Sequence, residues 1–223
     1  MIELETVAHG YDGAELFSDV TLQLGDGSFH FLTGPSGAGK TTLLRLCYGE
    51  LVPARGSIRF FGQERRDLGR DGLALARQRI GVVHQDCQFL DHLSLRDNVA
   101  LPLIAGERPV PDQDVDDLMA WVGLEGHTQA LPPTLSGGER QRAALARAVI
   151  TSPAVLLADE PTGNLDWEMS VRLLSLLIEL NRMGTAVLIA THDLNLIRTA
   201  KPQVSARVLR IAGRKLQLAG AEL

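Results

Sequence analysis

The stretch FHFLTGPSGAGKTTLL, residues 29–44, decides the fold of this chain. Its apolar start predicts a buried strand, and residues 42–46 continue as a helix. Between them, residues 34–41 match G-x-x-x-x-G-K-[ST], a phosphate-binding loop in the strand–loop–helix order that this motif requires. A glycine-rich turn that matches by chance is the alternative, but the lysine, the hydroxyl and both flanking elements agree with the motif. We therefore predict an α/β fold with a P-loop NTPase core.

Each residue type in this loop has a chemical reason. Glycines let consecutive backbone N–H groups turn inward around an anion, and the helix that starts near Lys40 directs its positive end at the same phosphates. We expect Lys40 to reach the β- and γ-phosphates of ATP and the Thr41 hydroxyl to ligate Mg²⁺. The expected nucleotide-binding residues of the loop are Gly34, Pro35, Ser36, Gly37, Ala38, Gly39, Lys40, Thr41 and Thr42.

Composition narrows the class of protein. The chain has 223 residues, which suits a single domain over 1–223, and its net charge of −5 argues against a nucleic-acid binder. No apolar run approaches the roughly 18 residues of a membrane span, so we predict a cytoplasmic protein that something else anchors if it works at a membrane. The two cysteines, Cys47 and Cys87, lack the spacing of metal ligands, and Cys47 is expected to be buried.

Hydrophobic periodicity predicts the elements around the loop. Expected strands cover 2–7, 21–24, 28–33, 56–62, 80–84, 155–159 and 186–190, and expected helices cover a part of 64–79, 94–101, 112–122, 140–150 and a segment from 167. Pro102 should disturb the second helix, and the last should turn Trp167, Val171, Leu174 and Ile178 toward the sheet. Tyr11 falls in a turn-rich stretch. Residues 86–150, approximately, are predicted as a helical insert within the α/β core.

A second glycine-rich sequence, LSGGE at residues 135–139, opens the helix over 140–150. We call it the signature sequence. Free N–H groups at a helix N-terminus form an anion site, with the helix dipole behind them. An ordinary N-cap and turn would give the same local pattern, so the local residues leave both interpretations open.

Two carboxylates end the apolar strand VLLAD, residues 155–159. In a chain with a phosphate loop, this arrangement is typical of a site that holds Mg²⁺ and primes water. We assign Asp159 to the metal and Glu160 to the general base, whereas the alternative is a strand that merely ends in acidic residues. His192 follows the strand 186–190 at the same sheet edge, so it is a candidate γ-phosphate contact, although a histidine after a strand can be purely structural.

In content and order, these motifs resemble the ATP-binding subunits of the ABC family over nearly the whole chain. The residues that carry the resemblance are 34–41, Gln85, 135–139, 155–160, 164–166 and His192. Two stretches, NVALPL at 98–103 and LADEPTGNLD at 157–166, resemble the cell-division branch of the family, and the second is shared with lipoprotein-releasing and macrolide-export ATPases. His84 departs from the usual phenylalanine, and Thr41-Thr42 stands in place of Ser-Thr.

The resemblance implies roles for individual residues and an ABC-type fold with an antiparallel β subdomain and a helical subdomain. Tyr11 would stack on adenine, although alone it could equally be structural, and Gln85 would touch Mg²⁺ and the attacking water. The active unit would be a head-to-tail homodimer with two ATP molecules at its interface. The signature residues Ser136, Gly137, Gly138 and Glu139 would contact the ATP of the other subunit, and Asn164, Leu165 and Asp166 would form an interface loop.

The resemblance also implies partners and a location. A groove around residues 85–98 would receive a cytoplasmic helix of an FtsX-like integral membrane protein, at the cytoplasmic face of the inner membrane. Closing of the dimer on ATP would then control cell-wall hydrolases outside the membrane, and a cytoskeletal division protein is a further candidate partner. A transporter motor for lipoproteins or small molecules is the alternative. A soluble clamp on nucleic acid or ribosomes is disfavoured by the single phosphate loop and the acidic charge.

Overall fold

The phosphate-loop strand lies inside a six-stranded sheet in the computed structural model of the protein, which describes residues 1–219. In chain order the strands and α-helices are β1 Ile2–Tyr11, β2 Ala14–Leu24, β3 Phe29–Thr33, α1 Lys40–Cys47, β4 Arg55–Phe60, β5 Gln63–Glu64, α2 Arg70–Gln78, β6 Ile80–Val83, α3 Leu95–Ala105, α4 Asp112–Trp121, α5 Gly137–Val149, β7 Val155–Asp159, α6 Trp167–Arg182, β8 Ala186–Ala190, α7 Leu194–Ala200, β9 Ala206–Ala212 and β10 Lys215–Leu218. Within residues 1–219, no helix is long and apolar enough to cross a membrane.

The larger sheet has the order β10-β9-β3-β8-β7-β6, in which β9 through β6 run parallel and β10 pairs antiparallel with β9. Every residue of β3, β7 and β8 is buried, as expected for parallel strands with both faces covered. Because the carboxyl ends of parallel strands meet at one edge, the segments that follow β3, β6, β7 and β8 lie side by side. The α/β prediction is confirmed, and the sheet brings the phosphate loop, Gln85, Glu160 and His192 to that edge.

Two hydrophobic cores lie on the two faces of this sheet. Alternation along β3 sends Phe29 and Phe31 into the core shared with α3 to α7, and Leu32 into the core shared with α1 and the smaller sheet. The same alternation along β7 and β8 divides their side chains between the two cores. Since a fully buried Phe or Leu contributes roughly 1.5–3 kcal/mol, these strands fix the position of the edge that carries the polar residues.

The smaller sheet is antiparallel, with the order β2-β1-β4-β5. Its first two strands are longer than the periodicity predicts, since β1 continues to Tyr11 and β2 begins at Ala14, whereas β4 ends at Phe60, two residues before the predicted end. Tyr11 therefore ends a strand, and only Asp12 and Gly13 form the turn. Register shifts interrupt the pairing of β1 with β2 after Leu4 and around Val7, so the alternation of apolar and polar residues is lost there.

The segment between β6 and β7 is helical, as predicted, but two helices differ from the prediction. α3 runs through Pro102 to Ala105 although proline removes one helical hydrogen bond, because its buried face, with Leu95, Val99 and Leu103, holds it in the core. α5 begins at Gly137, three residues before the predicted start, because Ser136 caps it. In the charged segment 64–79 only α2 is a full helix, preceded by a 3-10 turn at Arg65–Asp67.

The prediction for α6 is wrong at its first residue. Leu174 and Ile178 are buried as predicted, together with Leu173 and Leu177, but Trp167 is 51% exposed. The helix begins in the loop that leaves the sheet edge, so its first turn lies beyond the strands against which the later turns pack.

One buried amide organises the start of the helical segment. Asn98 is fully buried, and its Oδ1 accepts a hydrogen bond from the Leu90 N–H at 2.8 Å. Its Nδ2 donates to the carbonyl oxygens of Leu90, Leu93 and Ser94, at 3.0, 3.1 and 3.0 Å. The side chain thus holds the backbone of the loop before α3, where the Leu90 and Ser94 carbonyls also accept the N–H groups of Leu93 and Asn98.

We expect Asn98→Ala to lower the free energy of unfolding by about 2–4 kcal/mol, because it removes the four hydrogen bonds of a fully buried amide, including those of the Leu90 N–H and the Leu93 carbonyl. Urea unfolding followed by circular dichroism measures this change. Gln113→Ala is the control: it removes an exposed amide on α4 that bonds only Asp117, and should change stability by less than about 0.5 kcal/mol. Equal stability of the Asn98 variant and the control would contradict this account of the loop.

Candidate nucleotide site

A cleft of about 650 Å³ opens at the carboxyl edge of the larger sheet. Nearly all the residues predicted to bind or cleave ATP within one chain line it: Tyr11, Gly34, Pro35, Ser36, Gly37, Gly39, Lys40, Thr41, Thr42, Gln85, Asp159, Glu160 and His192. Ala38 is the predicted loop residue that does not line the cleft; its N–H donates to the Pro35 carbonyl at 3.1 Å. Leu16 is a lining residue that the sequence did not indicate.

The backbone of the phosphate loop requires glycine at its last turn. Gly39 caps α1 in the left-handed conformation, with φ of 99°, and a Cβ there would lie 2.8 Å from Leu16 Cδ2. No side chain caps α1 and no acidic residue occupies its first turn. The N–H groups at this helix end therefore face the cleft without a competing acceptor from a cap, as an anion site needs.

Lys40 lies between the loop and the carboxylate at the end of β7. Its Nζ donates to the Gly34 carbonyl at 3.1 Å and lies 3.5 Å from Glu160 Oε1, with both side chains only 11% exposed. Low exposure strengthens this ion pair relative to a surface pair. A phosphate that bound Lys40 would compete with Glu160 for the ammonium group.

Glu160 is held from three directions. Besides Lys40, its Oε2 lies 3.0 Å from His192 Nδ1 and accepts the His192 backbone N–H at 3.4 Å. Its own N–H donates to the Ala190 carbonyl at 2.9 Å. The backbone of Glu160 has φ of 44°, a left-handed conformation that is unfavourable for a non-glycine residue and concentrates at functional sites. Nothing in the sequence indicated this conformation.

Asp159 lies beside Thr41 on the other side of the cleft. It is 7% exposed, and burial raises the pKa of its carboxyl group, whereas the hydrogen bond from the Thr41 hydroxyl lowers it. Hydroxyl, carboxylate and the Gln85 amide supply hard oxygen ligands, and Mg²⁺ commonly combines one or two such protein ligands with the phosphates of its substrate. The residues present thus fit the magnesium ion that the sequence predicts.

Tyr11 stands at the mouth of the cleft and is 46% exposed. Its hydroxyl lies 3.3 Å from Thr42 Oγ1, and its ring meets the His9 ring edge-on, at 5.2 Å between centroids and 87°. These two contacts fix the ring while leaving one side accessible. His9 is therefore a supporting residue that sequence reasoning missed.

The signature sequence lies away from this cleft. Ser136 and Glu139 form a capping box at the start of α5: Ser136 Oγ accepts the Glu139 N–H at 3.3 Å, and Glu139 Oε2 accepts the Ser136 N–H at 2.8 Å. The Ser136 hydroxyl, which donates to Glu139 Oε2 at 2.7 Å, and the Ser136 N–H both lower the pKa of the Glu139 carboxyl group. The ordinary N-cap interpretation is thus correct locally, and it leaves the anion-site interpretation open. Gly137 lines a separate cleft of about 520 Å³, together with Gln85 and Asn164.

The flank of α5 holds the segment that follows Gln85. Arg140 donates to the Cys87 carbonyl at 3.1 Å, Arg147 donates to the Gln88 carbonyl at 2.6 Å, and both guanidinium groups lie over the Phe89 ring. Arg140 and Arg147 are seven residues apart and so share one helix face, a spacing that could have indicated this contact. The signature helix and the Gln85 segment are therefore packed as one unit.

A third cleft, of about 490 Å³, lies between the sheet and the helical segment. Side chains of α2, β6, α3 and α5 line it, with His84 at its edge. The His84 ring meets Tyr48 edge-on at 6.0 Å. The groove expected around residues 85–98 corresponds to the cleft of about 520 Å³, which residues 85–89 and Asp91 line, whereas the third cleft includes His84 but none of residues 85–98.

Comparisons with known proteins agree on the family. The family model described as ABC transporter matches residues 17–163. The chain is 43% identical to the cell division ATP-binding protein FtsE of Haemophilus influenzae over 89% of this chain and 93% of that protein, and 44% identical to FtsE of Escherichia coli strain K12 over 88% and 90%. FtsE of Mycobacterium tuberculosis is 40% identical over 92% of this chain and 90% of the relative.

Solved structures give the same result. The dimeric post-hydrolysis structure of the ATP-binding cassette MJ0796, bound to ADP and Pi, superimposes with a TM-score of 0.86 at 29% identity, over 99% of this chain and 100% of that chain. A second dimeric structure of MJ0796, described as a bacterial ABC transporter cassette, has a TM-score of 0.86 at 30% identity and covers 97% of both chains.

We expect Tyr11→Ala to weaken ATP binding by about tenfold, because stacking of a base on an aromatic ring is worth roughly 1–3 kcal/mol. Tyr11→Phe keeps the ring and removes only the hydroxyl contact with Thr42, so its affinity should remain close to that of the parent. Titration with a fluorescent ATP analogue measures both dissociation constants. Equal affinities of the alanine and phenylalanine variants would contradict stacking on Tyr11.

Proposed function

Because this chain belongs to the ABC transporter family, and resembles FtsE over about nine-tenths of its length, we propose that it is the ATP-hydrolysing subunit of a membrane-associated complex in cell division. The observation that carries the proposal is the convergence of Lys40, Glu160 and His192 at the phosphate loop. Glu160 and His192 follow the strands β7 and β8, whereas Lys40 is the first residue of α1, after the phosphate loop. Glu160 lies 3.5 Å from Lys40 and 3.0 Å from His192.

Glu160 is proposed as the general base of ATP hydrolysis. In the geometry described, one of its oxygens faces Lys40 and the other faces His192. A γ-phosphate drawn to Lys40 takes over that ammonium group and leaves Glu160 Oε1 to accept a proton from the attacking water. His192, whose side chain is 73% exposed, keeps Glu160 oriented and can reach the γ-phosphate at the cleft surface.

Magnesium would be held by Thr41, Asp159 and Gln85, and would neutralise charge on the β- and γ-phosphates. Backbone N–H groups of the phosphate loop cradle the phosphates, and Tyr11 stacks on the adenine. Lys40 contributes its charge at the β- and γ-phosphates.

We propose that the active unit is a head-to-tail homodimer with two ATP molecules at its interface. Gly137 of the signature sequence lines a different cleft from the phosphate loop of the same chain, so the N-terminus of α5 is available to the ATP of a second copy. Asn164, Leu165 and Asp166 would belong to the same interface, since Asn164 and Gly137 line one cleft. ATP then acts as a ligand that favours the closed dimer, and hydrolysis removes the contact that favours closure.

The membrane partner is proposed to be an FtsX-like protein, at the cytoplasmic face of the inner membrane. The sequence places its cytoplasmic helix around residues 85–98; we propose instead the adjacent cleft of about 490 Å³, which includes His84, because both the sheet and the helical segment contribute to its walls. An amphipathic helix can lay its apolar face in such a groove. His84 at the edge of the groove would contact the partner, and closing of the dimer would control cell-wall hydrolases through it. A cytoskeletal division protein is proposed as a further partner.

A transporter motor for lipoproteins or macrolides remains the second candidate, because LADEPTGNLD is common to those ATPases and to the cell-division branch. The two differ in the membrane protein that binds. Purification of the Glu160→Gln protein with ATP from native membranes should recover an FtsX-like protein. Recovery of a lipoprotein or drug permease instead would agree with the ATPase assignment but would identify the function as transport.

We expect Glu160→Gln to lower the turnover number for ATP by at least about 100-fold, because the amide cannot accept the proton of the attacking water. ATP should still bind, and the dimer should persist longer. Phosphate release measures turnover, and sedimentation measures the dimer. Glu125→Gln, an exposed carboxylate in a 3-10 turn, is the control and should turn over ATP like the parent. Undiminished turnover in Glu160→Gln would refute the assignment of the base.

We expect Ala105→Arg to block capture of the membrane protein, because the long cationic side chain fills the groove between α2 and α3. ATP turnover of the isolated subunit should stay within about twofold of the parent, since the groove and the nucleotide cleft share no lining residue. Co-purification from membranes measures capture. Ala54→Arg, an exposed alanine outside the groove, is the matched control. Equal capture by the two variants would exclude this groove as the docking site.

A further inference from the structure

A fourth cleft, of about 620 Å³, borders the nucleotide cleft and is not accounted for by the chemistry described above. The two clefts share Glu160 and His192. On its far side are two large apolar residues, Trp167 and Leu194, which are 51% and 39% exposed. Any molecule that covers Trp167 therefore lies close to Glu160 and His192, the side chains proposed to act at the γ-phosphate.

The exposure of these two residues is built into rigid structure. Trp167 is the first residue of α6, and the Asp166 carboxylate caps that helix by accepting the Met169 N–H at 2.9 Å. Leu194 is the first residue of α7, and Asp193 caps that helix by accepting the N–H groups of Asn195 and Leu196, at 2.8 and 3.2 Å. Both apolar residues thus begin capped helices. Their backbone is already ordered, so covering them on binding costs little further backbone entropy.

We propose that Trp167 is an anchor of the interface between two copies of this chain and becomes covered when the copies close on ATP. This inference rests on the proposed ATP-dependent homodimer, and it assigns a residue to that dimer that the motifs do not include. Tryptophan is enriched among the residues that carry most of the energy of protein interfaces, because it buries a large area with few rotatable bonds.

Continuity with the proposed interface identifies the occupant as a second copy. Trp167 directly follows Asn164–Asp166, and Asn164 borders the cleft of the signature sequence. A second copy that brings its phosphate loop to Ser136 must therefore pass over Asn164–Asp166 and reach the neighbouring α6 terminus. The solved cassettes that match 97 to 99% of this chain are dimeric.

The charges of the cleft also suit a self-complementary contact. Asp193 and Glu160 supply carboxylates and Arg198 supplies a guanidinium group around the two apolar residues. In a two-fold symmetric contact the same patch occurs on both sides, so a patch with both signs of charge can pair with itself. The groove proposed for the membrane partner shares no lining residue with this cleft, so that partner is not the occupant.

Tryptophan fluorescence tests the proposal directly, because the chain has two tryptophans, Trp121 and Trp167. Trp121 is removed as Trp121→Phe, which gives up the bond from its Nε1 to Glu179 Oε2 and leaves Trp167 as the single reporter. Glu160→Gln is added to hold ATP. We expect ATP to shift the emission of Trp167 to shorter wavelength and to lower its quenching by acrylamide several-fold, in step with dimer formation in sedimentation. A dimer in which Trp167 remains fully quenchable would overturn the proposal, as would a change that is independent of protein concentration.

Substitution provides the second test. In the Glu160→Gln background, Trp167→Ala should raise the dimer dissociation constant about tenfold or more, and Trp167→Phe should restore most of the affinity. Met183→Ala, which truncates an 81% exposed side chain at the other end of α6, is the control and should dimerise like the parent. Dimers of equal strength in the Trp167→Ala and control variants would overturn this inference alone. Failure of the Glu160→Gln parent to bind ATP or to dimerise would count against the proposed function itself.

Discussion

The chemistry of this protein depends on strands that are buried on both faces. Every residue of β3, β7 and β8 is buried, so an unpaired polar group at any position along them carries a desolvation penalty. Charged groups are therefore confined to the points where the strands stop. The sheet, whose strands lie about 4.8 Å apart, brings Lys40, Glu160 and His192 within hydrogen-bonding range although they are far apart in sequence. The rigid ends of β7 and β8, together with the phosphate loop that carries Lys40, set the distances on which the proposed catalysis depends.

α5 connects the functional surfaces. Its N-terminus presents the signature sequence, and its flank holds the residues after Gln85 through Arg140 and Arg147. It also lines the groove between the sheet and the helical segment. In the proposed dimer this helix would contact a second copy at its N-terminus, while its flank holds the Gln85 segment and lines the groove. A single rigid helix would therefore link the three surfaces mechanically.

The sequence predicted those parts of the molecule in which the local residue pattern favours the same structure as the tertiary packing. The phosphate loop, the fully apolar strands and the carboxylates after β7 were predictable because each needs particular residue types at fixed spacing. The prediction failed where tertiary packing overrides local preference. Pro102 lies within a helix that the core holds together, and the bulges in β1 hide its true length from periodicity. Trp167 has the spacing of a core residue, but its turn lies beyond the sheet, and no sequence pattern reports where a sheet ends. The contact of His9 with Tyr11 could not be predicted either, because it joins side chains by ring geometry alone.

The left-handed backbone of Glu160 has a consequence for how this protein can evolve. At such a φ, glycine or asparagine has less backbone strain than glutamate, so relief of that strain alone would favour replacement of the residue. The replacement would relieve the backbone strain, but it would also remove the contacts of the carboxylate with Lys40 and His192. On the proposed mechanism it would remove the general base as well, so an engineer who applies consensus or strain-relieving substitutions to this scaffold should leave position 160 unchanged.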